Sequence, residues 1–207
     1  MIIARTDFKL HFGQAKPAIA IWKEIMDHSK DKPESPRMHL FTDASGPNYT
    51  LAIELHIRSF TDFGPSTHVW STNEKIRELY PRFVPLCLGS VTELYHLEHQ
   101  VGDNPAPGNI IERMTFHMKF GQIKEACAIW RKILDLQKQT GVRSRMLTDI
   151  TGESYTLIME QVHRNMMEYG PHMHAWLTNE KLKEHYAQFM PLCDRSRRTL
   201  FKLEHMV

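Results

Sequence analysis

Cysteine is scarce. The three in 207 residues, Cys87, Cys127 and Cys193, are far apart in sequence, which excludes a disulfide framework and any closely spaced zinc or redox pair. Scattered thiols of this kind fit a reducing compartment, so the expected location is the cytoplasm. Charge of one sign is also lacking: 26 basic residues face 24 acidic ones, for a net charge of +2. So weak a field does not draw nucleic acid or a membrane surface. The densest basic stretch, Arg195-Ser196-Arg197-Arg198, reads as a solvated turn, with an anionic ligand as the alternative. No stretch approaches the roughly 20 apolar residues of a membrane span, and residues 1–7 lack the charged-then-apolar order of a secretory signal. What is there is an ordinary balance for burying a core, 42% hydrophobic and 24% charged residues.

The organising feature is an internal duplication. Residues 109–134 repeat residues 1–26, and after a two-residue deletion the match resumes. Leu51-Ala52-Ile53-Glu54 aligns with Leu157-Ile158-Met159-Glu160, Trp70 with Trp176, and Asn73-Glu74-Lys75 with Asn179-Glu180-Lys181. Pro85-Leu86-Cys87 then aligns with Pro191-Leu192-Cys193, and Leu97-Glu98-His99 with Leu203-Glu204-His205. A repeat of about a hundred residues is domain-sized and too long for a solenoid. The expected organisation is a first unit over 1–100, a linker over 101–108 and a second unit over 109–207.

Each unit opens with period-two alternation. Thr6, Phe8, Leu10 and Phe12 share one face, and Arg5, Asp7, Lys9 and His11 the other; the copy opposes Met114, Phe116, Met118 and Phe120 to Arg113, Thr115, His117 and Lys119. Gly13 and Gly121 break these strands, and helices follow with Trp22 and Trp130 on their apolar stripes. Strands over 37–43 and 143–149 lead through turn residues into a third strand. There Leu51, Ile53, Leu55 and Ile57 face the core, while Glu54, His56 and Arg58 lie opposite. A second helix carries Val69, Asn73, Ile76, Tyr80 and Phe83 on one stripe, with Pro81 ending or kinking it. A last strand covers 92–99 or 199–205. The order β-α-β-β-α-β is the ferredoxin-like arrangement, an α+β unit with both helices on one face of an antiparallel sheet.

That leaves the polar sheet face uncovered, and a tandem copy offers the cover. The two sheets are expected to face each other as an intramolecular pseudo-dimeric barrel. Arg5/Arg113, Glu54/Glu160, Arg58/Arg164 and Arg37/Arg143 then point into the space between, paired because buried ions need partners. Exchange of partners between two chains, a homodimer, is the alternative.

The Phe-Gly-Gln turn into a Trp-containing helix, the Arg58-Ser59-Phe60 exit from the third strand, and the path from Asn-Glu-Lys through Phe-x-Pro-Leu-Cys to Glu93-Leu94-Tyr95 resemble NIPSNAP proteins. These belong to the dimeric α+β barrel superfamily, with antibiotic-biosynthesis monooxygenases, heme-degrading monooxygenases, chlorite dismutases and dye-decolourising peroxidases. The resemblance implies the barrel fold and a small-molecule ligand. It transfers no catalytic residue, since the superfamily places different catalysts in one barrel.

From the residues themselves, Glu54 or Glu160 is the candidate general base, with His56 assisting. Arg5, Arg58, Arg113 and Arg164, with His11 and His117, would hold the substrate anion. That chemistry suits cofactor-independent oxygenation of an aromatic or polyketide-like compound, or an isomerase or cyclase that begins with the same proton removal. Two alternatives stand beside it. The Arg–Glu pairs could fasten the sheets of a non-catalytic binding or interaction module, or heme could bind with His68 or His174 as axial ligand. No metal site is expected: His172 and His174, if helical, point about 200° apart, and they could share a metal if that segment were extended, so the local conformation decides. Met159, Met166, Met167 and Met173 could line an adaptable pocket. The change of Leu55 to Gln161 and of His56 to Val162 suggests that the halves have divided their labour.

Overall fold

The computed structural model describes residues 1–32, 35–62, 73–138 and 141–207. Its strands are β1 (Ile2–Leu10), β2 (Arg37–Ser45), β3 (Thr50–Ile57), β4 (Cys87–Val101), β5 (Ile110–Met118), β6 (Arg143–Asp149), β7 (Thr156–His163) and β8 (Cys193–Met206). They form one closed antiparallel barrel in the order β1-β3-β2-β8-β5-β7-β6-β4. Each unit supplies a four-stranded sheet, and the seams are β2 against β8 and β4 against β6. The last strands are longer than expected, 15 and 14 residues. Their early residues pair within the unit, as Gly89 does with Lys9, and their late residues cross the seam, as Gln100 does with Arg145. Closure within one chain leaves no exposed sheet edge.

Helices α1 (Ala15–Ser29), α2 (Glu74–Phe83), α3 (Ile123–Lys138), α4 (Met166–Thr178) and α5 (Glu180–Phe189) are amphipathic or short elements outside the barrel. Strand alternation sends Phe8 and Phe116 outward, where each meets the helices edge-to-face: Phe8 on Phe83 and Phe116 on Phe189, both at 4.9 Å. Trp22 and Trp130 anchor the two resulting cores. Phe12 and Phe120 do not continue them. The strands stop at Leu10 and Met118, and both rings are exposed, tilted against Tyr49 and Tyr155 at 5.0 and 5.1 Å.

The second helix is also not continuous in the second unit. Asn179 has extended backbone angles, closes α4 and caps α5, its side chain accepting from the Leu182 N–H. Asn73 does the same at the start of α2, accepting from the N–H groups of Lys75 and Ile76. Asparagine satisfies orphan helix donors best from just outside the helix, so these two residues are caps rather than stripe members. Pro81 is carried inside α2, which runs on to Phe83. Val69, Trp70 and the candidate heme ligand His68 lie outside the described residues. Among the described residues, no helix is long and apolar enough to cross a membrane.

Candidate functional site

Inward-facing residues of the barrel form a charged belt. Arg5 Nη1 donates to Glu54 Oε1 at 2.8 Å, and Arg113 pairs with Glu160. Strand register sets these pairs, since Arg5 lies opposite Glu54 and Arg113 opposite Glu160. The belt crosses the pseudo-twofold axis: Arg5 stacks on Phe201 of the second unit at 4.4 Å, and Arg113 on Tyr95 of the first at 5.1 Å. Arg145, which sequence reading missed, ties both carboxylates together, Nη2 to Glu54 and Nε to Glu160, each at 2.5 Å. Its signal was available, because alternation over 143–149 puts it on the face of Arg143. Burial opposes ionisation of Glu54, yet Arg145, Arg5 and Arg113 hold the carboxyl well below its usual range. Glu160 is likewise buried and held low, chiefly by Arg145.

Other expected members stand elsewhere. Arg58 and Arg164 follow the last residues of β3 and β7, where the chain leaves the barrel, and both are exposed; Arg164 lies near Glu168 at 3.7 Å. Arg37 is exposed, and Arg143 turns to the Asn109 side chain at 3.2 Å. His11 is exposed past the end of β1, and His117 sits 3.3 Å from Glu153. For His11, Arg58 and Arg164 the cause is that period-two alternation holds only while the strand lasts, whereas Arg37 and Arg143 are the first residues of β2 and β6 and His117 the next-to-last of β5.

The belt leaves little room for a substrate. The cavity beside Arg145 and Glu160 is ≈20 Å³, space for about one water. His39 and His56 pack with ring centroids 4.4 Å apart, and His56 Nε2 is 3.8 Å from Glu54, too far to hydrogen-bond. Among the described residues, both nitrogens of His39 and Nε2 of His56 lack a hydrogen-bond partner. His39, Glu54 and His56 have the composition of a two-histidine, one-carboxylate metal centre, with donor atoms within 4.8 Å of one another. They do not fit one as placed. Both Glu54 oxygens are already held by guanidinium groups, and a divalent ion would lie against three fixed cations.

Burial instead keeps these imidazoles neutral: it pushes His39 down to about 4, with Arg145 and Arg37 adding to the effect, and His56 well below its usual value. The unfolded imidazole protonates near pH 6.5, so between about 6.5 and 4 the unfolded state binds more protons. Stability is therefore full above pH 6.5 and falls with pH across that window, by about 3 kcal/mol for His39 alone. Urea unfolding of His39→Leu across this range is expected to show a shallower acid loss than the parent protein.

A different constellation lies on the outer face of the second unit, between sheet and helices. Glu112 of β5 is 1% exposed and accepts from Arg198 Nε of β8 at 2.9 Å. The Tyr169 hydroxyl of α4 donates to it at 3.4 Å, and His163 Nε2 of β7 is 3.4 Å from its other oxygen. Beside them, His172 Nε2 is 2.7 Å from Gln161 Oε1, and Gln161 Nε2 donates to Gln137 Oε1 at 3.1 Å. In this assignment the Gln161 oxygen fixes the Nε2–H tautomer of His172 and leaves its Nδ1 lone pair available. Burial and the neighbouring His163 push His172 below its usual value, against the pull of Glu112. The adjoining cavity of ≈150 Å³ is walled by Trp130, Trp176, Met114 and Met173, with Glu112, Gln161 and Arg198 on its polar side. A cleft of ≈570 Å³ reaches His163 and His172 from another side.

The first unit lacks these groups. Ala4, Ile57, Leu55, Ser29 and Thr92 stand where the second has Glu112, His163, Gln161, Gln137 and Arg198. The described walls of its own helix-side cavity, ≈640 Å³, contain neither carboxylate nor histidine. Of the second unit's group, the Gln161 difference, the His172/His174 pair, Arg198 within the basic stretch and Met173 were noticed in the sequence, while Glu112, His163 and Tyr169 were not. His172 turns toward the sheet, while His174 on the same helix is exposed.

No protein-family model and no curated protein matches this sequence. Among solved structures, a candidate monooxygenase from Lactobacillus acidophilus aligns over 100% of this chain and 95% of its own, with 11% identity and a TM-score of 0.76. An anthrone oxidase-like protein aligns over 100% and 92%, with 10% identity and a TM-score of 0.71. The chain has the dimeric α+β barrel fold. A NIPSNAP domain protein from Burkholderia xenovorans covers 45% of this chain and 91% of its own, at 12% identity and a TM-score of 0.40. In this dimeric α+β barrel both halves of the barrel are carried by one chain. At these identities the likeness is one of fold, so chemistry must be argued from the site.

Proposed function

We propose that the protein is an enzyme of the monooxygenase-like class, acting on a small aromatic compound by acid–base chemistry in the helix-side cavity of the second unit. The observation that supports this reading is the chain of contacts linking Glu112, Gln161 and Arg198 on the cavity wall to His163 and His172 on the adjoining cleft, where the other unit has Ala4, Leu55 and Thr92 in place of the wall residues and Ile57 in place of His163. Desolvating such groups is costly, and a purely structural core had an apolar solution at hand in the first unit. The monooxygenase and anthrone oxidase-like names of the structural relatives add support for the reaction class.

In this reading the ring's acidic C–H or phenol reaches past Gln161 to His172, which lies behind it on the adjoining cleft and removes the proton through Nδ1. Arg198 faces the resulting anion, and Glu112 fixes Arg198 and orients His163 and Tyr169. The tryptophans and methionines hold the ring and exclude water. Anthrone serves as the probe: proton loss at its methylene gives a carbanion that reduces dioxygen, and anthrone plus O2 yields anthraquinone plus water. The belt of Glu54, Glu160, Arg5, Arg113 and Arg145 then fastens the two sheets, with no direct part in the chemistry.

The test is dioxygen uptake with anthrone, together with identification of anthraquinone. Stoichiometric uptake above the uncatalysed rate supports the reading; binding with no uptake beyond that rate leaves a ligand-binding module, the reading that a filled barrel favours. The pH dependence has a definite sign. His172 must be neutral to act, and its value lies below the ordinary histidine range, so kcat/KM is expected to rise with pH along an acid limb centred below about 6.5 and then level off.

A further inference from the structure

We infer that the compound taken by this cavity is an aromatic acid, a flat ring bearing a carboxylate held by the Nη edge of Arg198. The inference rests on the reading that the helix-side cavity of the second unit is the working site, and it specifies what enters it.

Arg198 uses Nε on Glu112. Its two Nη groups have poor partners: the sulfurs of Met173 and Met114, each at 3.7 Å, and the Tyr169 oxygen at 3.5 Å. A thioether is a weak acceptor, so the planar fork retains donors for a carboxylate, whose two oxygens match its spacing. The guanidinium lies on the cavity wall and is about half exposed, accessible to an entering ligand. Lys183 lines the same cavity, although its ammonium is also 2.8 Å from Glu180. With Arg198 and Lys183 against Glu112, the lining carries one net positive charge before any ligand binds. The position of this cation on the sheet is specific to this unit: Thr92 occupies the place of Arg198 in the first, whose cavity has Arg77 at the place of Lys183. Trp176 and Trp130 line the same cavity and give it aromatic walls for a ring.

Calorimetric titration with 2-naphthoate and with its neutral isostere 2-naphthamide reads the inference directly. The acid is expected to bind roughly tenfold tighter or more, as a charge-assisted bidentate contact implies, and added salt should weaken the acid alone. Arg198→Met should abolish the preference by weakening the acid and leaving the amide. Because that change also frees Glu112, Arg198→Lys provides a second reading: charge without the fork, and an intermediate preference. Equal binding of acid and amide by the parent protein, binding of neither, or a preference that survives Arg198→Met overturns the inference. Arg198-dependent acid binding without oxidation of anthrone leaves it standing and removes the oxygenase reading. Anthrone oxidation with no preference for the acid does the reverse.

Discussion

Arg145→Met is expected to destabilise the protein by about 3–5 kcal/mol, the usual result of removing one partner from a buried ion pair. Arg145 hydrogen-bonds the carboxylates of both units, Glu54 through Nη2 and Glu160 through Nε, whereas Arg113 pairs closely with Glu160 and stands 3.7 Å from Glu54. Without it the two buried carboxylates keep Arg5 and Arg113 but repel each other across the axis. Urea unfolding at neutral pH measures the effect. Arg58→Ala and Arg164→Ala are the controls, since both side chains are exposed, and each is expected to change stability by no more than about 0.5 kcal/mol. Acid has a related action with a different window from that of His39. Glu54 and Glu160 have folded values depressed below the usual 4.5. Their contribution is therefore present above that value and lost as pH falls through the folded values.

His172→Phe is expected to lower turnover of an accepted aromatic substrate by about 10²- to 10⁴-fold, the range of a lost general base. Phenylalanine keeps a flat ring beside His163, so folding and ligand binding should persist while proton removal fails. Steady-state kinetics with binding measured alongside separates the two: kcat falls and Kd holds. Loss of binding with unchanged kcat at saturation would make His172 a wall of the pocket and not its base.

The sequence carried the architecture in two forms, duplication and alternation. Period two placed Arg5, Glu54, Arg113 and Glu160 inside the barrel because all four lie well within strands. It misplaced Arg58 and Arg164 because each stands one residue beyond its strand. The charged residues thus located drew attention to the barrel interior, where burial and guanidinium pairing make Glu54 and Glu160 poor bases. The helix-side group was harder to see because Glu112 and His163 occupy positions in phase with the core, where a polar residue looks like an irregularity. Comparing the copies position by position exposes them: Ala4 becomes Glu112, Ile57 becomes His163 and Leu55 becomes Gln161. Tyr169 and His172 are three apart on α4 and share its sheet-facing side. That relation becomes informative once Glu112 and His163 are known to face them.

The most direct test is dioxygen consumption with anthrone by the parent protein, His172→Phe and His39→Leu measured side by side. Chemistry in the helix-side cavity requires that His39→Leu oxidise anthrone like the parent and that His172→Phe fall at least about 100-fold. Loss of activity in His39→Leu, with His172→Phe unaffected, would place the reaction inside the barrel and contradict the assignment of the site.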